Sequence, residues 1–305
     1  MLSNSLSRGK AQKIVLYLVI IVAIIIGCKG NSEKDKSLIT RDSFKPDTLS
    51  YLIKYDNSLF PLPSPYQASI LIKKHNIPFD ENIPNKPENK QRYTTNFKKA
   101  LNMGVYGTDL SYMNIYDRTQ QSIVFIGALK RLSEDLSITP AFSNDFFSGI
   151  ERNINTRDSL LVYLSKAYRK ADGFLRENDR SETSTLILTG GWIESVYILT
   201  QIAKTTSNRD VINRIGQQKH PLDNIIEVLT PLYYKSPEFT QLTDMFIELA
   251  YEFDGIIFSY SYKEPKIDVE NKTTYIHSES RVTMSEYHLQ AITKKVEAIR
   301  NFITE

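Results

Sequence analysis

Three acids in this chain are followed three residues later by a tyrosine: Asp109 and Tyr112, Glu194 and Tyr197, Glu248 and Tyr251. Three residues apart on a helix is one face. Each pair could therefore bring a carboxyl and a phenol together for acid–base chemistry or for holding a polar ligand. Helical projection separates the three. Glu248 and Tyr251 share a face with Asp244, opposite Met245, Leu249, Phe253 and Ile256, and read as solvated. Asp109 lies among Val105, Tyr112, Met113, Tyr116, Ile123 and Gly127, with Gln120 on the same stripe. Glu194 lies among Ile187, Gly190, Tyr197 and Ile198, with Gln201 two turns on. An unpaired buried carboxylate costs on the order of several kcal/mol, so each acid needs partners or a wet cavity. The ordinary expectation is a core polar network completed by tyrosine hydroxyls and a cation, with Arg118 or Arg169 to supply it. The sharper reading is a polar ligand pocket built from Asp109, Tyr112, Tyr116, Gln120, Glu194, Tyr197 and Gln201. Catalytic use of the acids ranks below both.

Other chemistry is sparse. The histidines, His75, His220, His277 and His288, form neither His-Glu-x-x-His nor Glu-x-x-His. His277, Glu279, Glu286 and His288 fall close together, but a metal there would need the loop to fold back on the last helix. A solvated loop is expected, and no metal is assigned. Phosphate-cradling glycine loops and the Gly-x-Ser-x-Gly elbow are absent. A single cysteine excludes an intrachain disulfide framework and a Cys-based zinc site. No cofactor is expected and no catalytic residue is assigned.

That cysteine has a telling position. Arg8, Lys10 and Lys13 precede an unbroken apolar run of 13 residues, Ile14 to Ile26, followed by Gly27 and Cys28. The run is short for a membrane span, which needs roughly 20 residues, and fits a signal peptide. Ile25-Ile26-Gly27-Cys28 resembles the bacterial lipobox, although the lipobox prefers a small residue where Ile26 stands. The resemblance implies cleavage after residue 27 and lipidation of Cys28, with palmitate-type acyl chains as the membrane anchor. Lys29, rather than Asp, at the next position favours the outer membrane. The charge agrees with a removable leader. Taking its three cations from the 38 Lys and Arg leaves 35, equal to the 35 Asp and Glu. A neutral body carries no electrostatic footprint for nucleic acid.

The elements that must position the acids are helical. Residues 28–48 read as a flexible tether, and 49–305 as a single helical domain. Helices are expected from Pro65 to about Asn76, from Thr94 for nearly fifty residues, and over Asp158–Leu175, Ser181–Lys204, Asp210–Gln217, Leu222–Tyr234, Glu238–Tyr260 and Ser285–Phe302. The Ser181–Lys204 segment is apolar nearly all round and should be buried. Thr283 and Glu286 have capping-box spacing. A short β-hairpin is expected over 266–282, turning at Glu270-Asn271-Lys272. The fold class is therefore all-α: an antiparallel multi-helix bundle or helical array of about eight helices. Gly190-Gly191-Trp192 inside a buried helix suggests close helix packing, with Gly104 and Gly107 suited to the same role.

Gly104-Val-Tyr-Gly-Thr-Asp-Leu-Ser-Tyr112, Asn155-Thr-Arg-Asp-Ser-Leu160 and Gly190-Gly-Trp-Ile-Glu194 resemble segments of helical lipoproteins of unknown function from Bacteroidetes. The likeness spans most of 60–303. It implies export, an envelope location and an all-α body, and brings no catalytic residue or cofactor with it. The expected function is a non-enzymatic binding or accessory module on an N-terminal lipid anchor, with an envelope protein as partner. The alternative is a small-molecule receptor or enzyme using the inward-facing carboxylates and tyrosines.

Overall fold

The computed structural model describes residues 51–55, 58–62, 71–142, 146–154, 157–275 and 278–305. The chain divides into Met1–Pro46 and Asp47–Glu305, and every described residue belongs to the second unit. The expected leader, Cys28, the expected tether up to residue 48, residues 65–70 of the expected helix, and His277 lie outside the described residues.

The described body is all-α with small antiparallel hairpins. Its helices are α1 (Asn96–Ile115), α2 (Thr119–Asp135), α3 (Phe146–Asn153), α4 (Arg157–Glu177), α5 (Ser181–Thr206), α6 (Arg209–Gly216), α7 (Lys219–Leu229), α8 (Pro237–Asp254) and α9 (Glu286–Thr304). Residues 71–74 are also helical. Three two-stranded antiparallel sheets complete it. In chain order they pair β1 (Tyr51–Tyr55) with β2 (Ser58–Leu62), β3 (Ile257–Ser261) with β6 (Glu279–Thr283), and β4 (Lys266–Asp268) with β5 (Thr273–Tyr275).

The centre of the fold is the packing of α1 against α5. As its composition predicts, α5 is a core helix. It is long and apolar enough to cross a membrane, yet most of its apolar stretch is buried within the protein. Four of its threonines, Thr189, Thr200, Thr205 and Thr206, donate their hydroxyls to carbonyls of the helix itself, as when Thr189 Oγ1 donates to Thr185 O at 2.8 Å. Glycine brings the two backbones together. A Cβ at Gly190 would stand 1.9 Å from Leu101 O, and one at Gly104 would stand 2.0 Å from Ile187 O. Gly107 does not share that role, for a Cβ there would meet nothing within 4 Å.

On one side of this pair, α8 and α9 pack on each other and α9 also packs on α5. Trp192 meets Phe246 there with ring centroids 5.8 Å apart. On the other side, Tyr106 and Leu110 of α1 join Phe125, Ile126 and Leu132 of α2, with Phe146, Ile150 and Leu160, in a second cluster. Core on both faces makes α1 the central helix.

Several boundaries differ from the sequence expectation. The fifty-residue helical stretch is two helices, because Asp117 adopts a left-handed conformation (φ 55°) and reverses the chain between α1 and α2. Helix α3 was not anticipated, nor was the β1–β2 hairpin. Helix α9 is capped by Ser285, whose Oγ accepts from His288 N at 3.3 Å, rather than by Thr283. Helix α8 stops at Asp254, short of Tyr260. Strands β3 to β6 then form a nested β-ribbon, with β4–β5 at its tip, turning at the expected residues with Lys272 at φ 50°. Val282, Met284 and Ile256 bury the ribbon's base, while Tyr260, Tyr262, Ile267 and Tyr275 are exposed along it.

Helix α6 shows how local chemistry sets a start. Asn208 Oδ1 accepts from Asp210 N at 2.9 Å and from Val211 N at 3.3 Å, satisfying two of the donors that a helix start leaves open. Asn208→Ala is expected to lower stability by about 1 kcal/mol, the usual cost of losing such a cap. Chemical denaturation would measure it, and an unchanged midpoint would show that the cap contributes nothing.

Candidate functional site

The two inward acids do converge. Asp109 on α1 and Glu194 on α5 are both 0% exposed. Their carboxyl groups are close enough to perturb each other. They meet because Asp109 follows Gly104 by just over one turn and Glu194 follows Gly190 by one turn. The glycine crossing therefore holds the two helices close at this level.

Neither expected arginine completes the site. Arg118 instead lies over the Phe79 ring, 4.4 Å from its centroid, and Arg169 is exposed. The cation is Arg300 of α9, whose Nε donates to Glu194 Oε2 at 3.3 Å. Its terminal nitrogen donates to Ile83 O at 3.4 Å, and the guanidinium covers the Tyr197 ring at 4.7 Å. On the far side of the pair, Asn85 N donates to Asp109 Oδ2 at 3.1 Å.

Asn85 extends the network. Its side chain donates to Tyr93 Oη at 2.8 Å and to Asn102 Oδ1 at 3.2 Å. Asn102 donates in turn to Ile303 O at 2.8 Å, and Tyr93 Oη to Thr304 O at 3.4 Å. Lys98 Nζ donates to Phe302 O. The last turn of α9, whose carbonyls have no partner within the helix, is thus satisfied by α1 and by the segment before it. One polar network fastens α1, α5, α9 and the proline-punctuated segment over 78–93.

The electrostatics follow from burial. Desolvation pushes the Asp109 carboxyl well above the ordinary carboxylate range; the adjacent Glu194 adds to this and Arg300 opposes it. Burial also raises Glu194, against the pull of Arg300 and of the bond from Asp109. Burial works against the charge of Arg300, but Glu194 and Asp109 outweigh it and hold its pKa above the ordinary value.

The remaining expected site residues disperse. Tyr112 Oη accepts from Asp80 N at 3.1 Å and its ring stacks on Phe79, so it anchors the proline-punctuated segment. Tyr116 Oη donates to Pro78 O at 3.2 Å and does the same. Tyr197 serves as the platform under Arg300. Gln120 lies apart from the acid pair. It belongs to α2, beyond the reversal at Asp117, and is exposed, as are Ile123 and Val124. Gln201 Nε2 donates to Glu297 Oε1 at 2.9 Å, beside Lys204 and two turns along α5 from Glu194. Glu248 and Tyr251 are solvated as expected, with Tyr251 68% exposed and Glu248 paired to Lys295 at 3.2 Å. Among the described residues, no group of three or more His, Cys, Asp or Glu could hold a metal ion.

The chain matches no family model, no curated protein and no solved structure. Its chemistry must be read from its own residues. An acid pair sealed from solvent and partnered by an arginine and a backbone amide has the construction of an internal clamp. Sequence reasoning missed Arg300, Asn85, Asn102 and Tyr93. For Arg300 a signal was present, since it interrupts the apolar stripe Val296, Ile299, Ile303 at helical spacing.

Proposed function

We propose that this chain is an envelope lipoprotein whose helical body is a non-enzymatic binding or accessory module, tethered to the outer membrane through acylated Cys28. The observation that carries the reading is the position of the only cysteine, directly after three cations and a 13-residue apolar run. Several acyl chains on one residue give stable anchoring, at about 0.8 kcal/mol per buried CH₂. The resemblance to helical Bacteroidetes lipoproteins supports the same assignment.

Burial supports the non-enzymatic part. The strongest constellation of reactive groups in the body, Asp109 with Glu194 and Arg300, faces the core and not a cleft. One observation favours the receptor or enzyme reading instead: Asp109 Oδ1 and Glu194 Oε1 each lack a hydrogen-bond partner.

The lipoprotein reading is tested by Cys28→Ser in a bacterial host. The wild-type chain is expected to take up a palmitate label and to partition with membranes. The variant is expected to remain unlabelled and to keep its leader. Equal labelling of both would end the proposal. Crosslinking in intact envelopes, followed by purification, would then show whether a stable envelope protein partner accompanies the chain.

A further inference from the structure

Two oxygens in the sealed centre have no partner: Asp109 Oδ1 and Glu194 Oε1. The other oxygen of each acid is already used, Oδ2 by Asn85 N and Oε2 by Arg300 Nε. The two carboxyl groups are neighbours, yet two carboxylates can only accept and so cannot bond to each other. With both ionised, the site would hold two negative charges against one guanidinium and two unsatisfied acceptors, all shut off from bulk solvent. A single proton removes both faults. It turns one unpaired oxygen into a donor, the other into its acceptor, and leaves one anion facing one cation.

Position decides which acid carries the proton. Glu194 is the carboxyl bound to Arg300 and gains most by staying ionised. Asp109 meets a neutral amide on its other side. The remaining titratable groups around the pair are phenols: Tyr106 and Tyr112 on α1, Tyr197 on α5 and Tyr93 before α1. Burial raises all four, so none supplies a charge at neutral pH. We propose that Asp109 and Glu194 bind one proton, held as Asp109 Oδ1–H donating to Glu194 Oε1, and that this proton is the catch that lets α1, α5 and α9 close on a neutral centre. Its loss to water would leave an uncompensated buried anion and loosen the contact of α9 and Asn85 with the core. This inference does not depend on the lipoprotein reading.

The folded pKa of Asp109 is raised, so the folded state retains a proton that the unfolded chain releases. The stabilisation is complete below the ordinary carboxylate range. It is lost as pH rises from there towards the folded value, where the penalty levels off.

Asp109→Asn is the test, because its amide can donate to Glu194 while its carbonyl accepts from Asn85, with nothing to titrate. The full-length chain would be studied in detergent, with unfolding followed by the fluorescence of Trp192, the only tryptophan and fully buried. The wild-type folding constant is expected to fall relative to the Asn variant by up to tenfold per pH unit above the ordinary carboxylate range. The infrared spectrum of the wild type at neutral pH should contain the C=O stretch of a protonated carboxyl, and the Asn variant should lack it. A wild-type spectrum without that band overturns the proposal. So does a band that survives in the Asn variant, or a stability ratio independent of pH. If the Asn variant does not fold, Asp109→Ser, which keeps a hydroxyl donor, replaces it, and the wild-type band alone remains decisive.

Discussion

Replacing Arg300 with methionine is expected to cost about 3–5 kcal/mol of folding stability, the range for removing one partner of a buried ion pair. Methionine keeps much of the volume and all of the apolar stem, so packing is largely preserved. The charge is not. Glu194 would be left fully buried with no cation, and the Ile83 carbonyl would lose its donor. A buried acceptor stripped of its partner suffers its full desolvation penalty, about 1–3 kcal/mol. Glu194→Gln added to the methionine variant should recover part of the loss, because no uncompensated anion then remains. The double-mutant cycle measures that coupling directly. Denaturant unfolding at constant pH is the measurement. A loss under about 1 kcal/mol for Arg300→Met, the scale of exposed ion pairs, would show that solvent reaches the pair.

The second large effect concerns glycine. Gly190→Ala is expected to destabilise the protein by about 1–3 kcal/mol or more, the scale for overpacking a filled core. The added methyl would lie 1.9 Å from Leu101 O, a backbone atom that cannot rotate away. Alanine's better helix propensity, about 1 kcal/mol, offsets only part of this. Gly107→Ala is the control with opposite sign. The same methyl there meets nothing within 4 Å, so propensity acts alone and stability should rise by about 0.5–1 kcal/mol. Equal responses from the two glycines would mean that α1 and α5 can slide apart at little cost.

The sequence disclosed this crossing and the acids beside it, because both are local periodic signals. Asp109 and Glu194 stand on apolar faces that a helical projection reveals, and both are buried. Their joint partner lay beyond that reach. Arg300 is 106 residues from Glu194, and no spacing rule links them. Gln120 was misplaced for a different reason. A projection assumes an unbroken helix, and one left-handed residue, Asp117, turns everything after it out of phase. The ribbon was found but begun too late. Ile256, Ile257 and Phe258 continue the apolar pattern of α8, and a short apolar run does not separate helix from strand.

The distance between Glu194 and Arg300 along the chain also has a meaning in time. Proteins emerge from the ribosome at about 5–20 residues per second. The 106 residues that separate Glu194 from its arginine therefore represent about 5–20 s of synthesis. The segments of α1 and α5 precede that interval and already carry the residues of their crossing. Docked early, they would bring two acids together with no guanidinium to answer them. The ion pair with Arg300 can form only once α9 has been made, so the charge balance of the polar centre is the last of its contacts to become available.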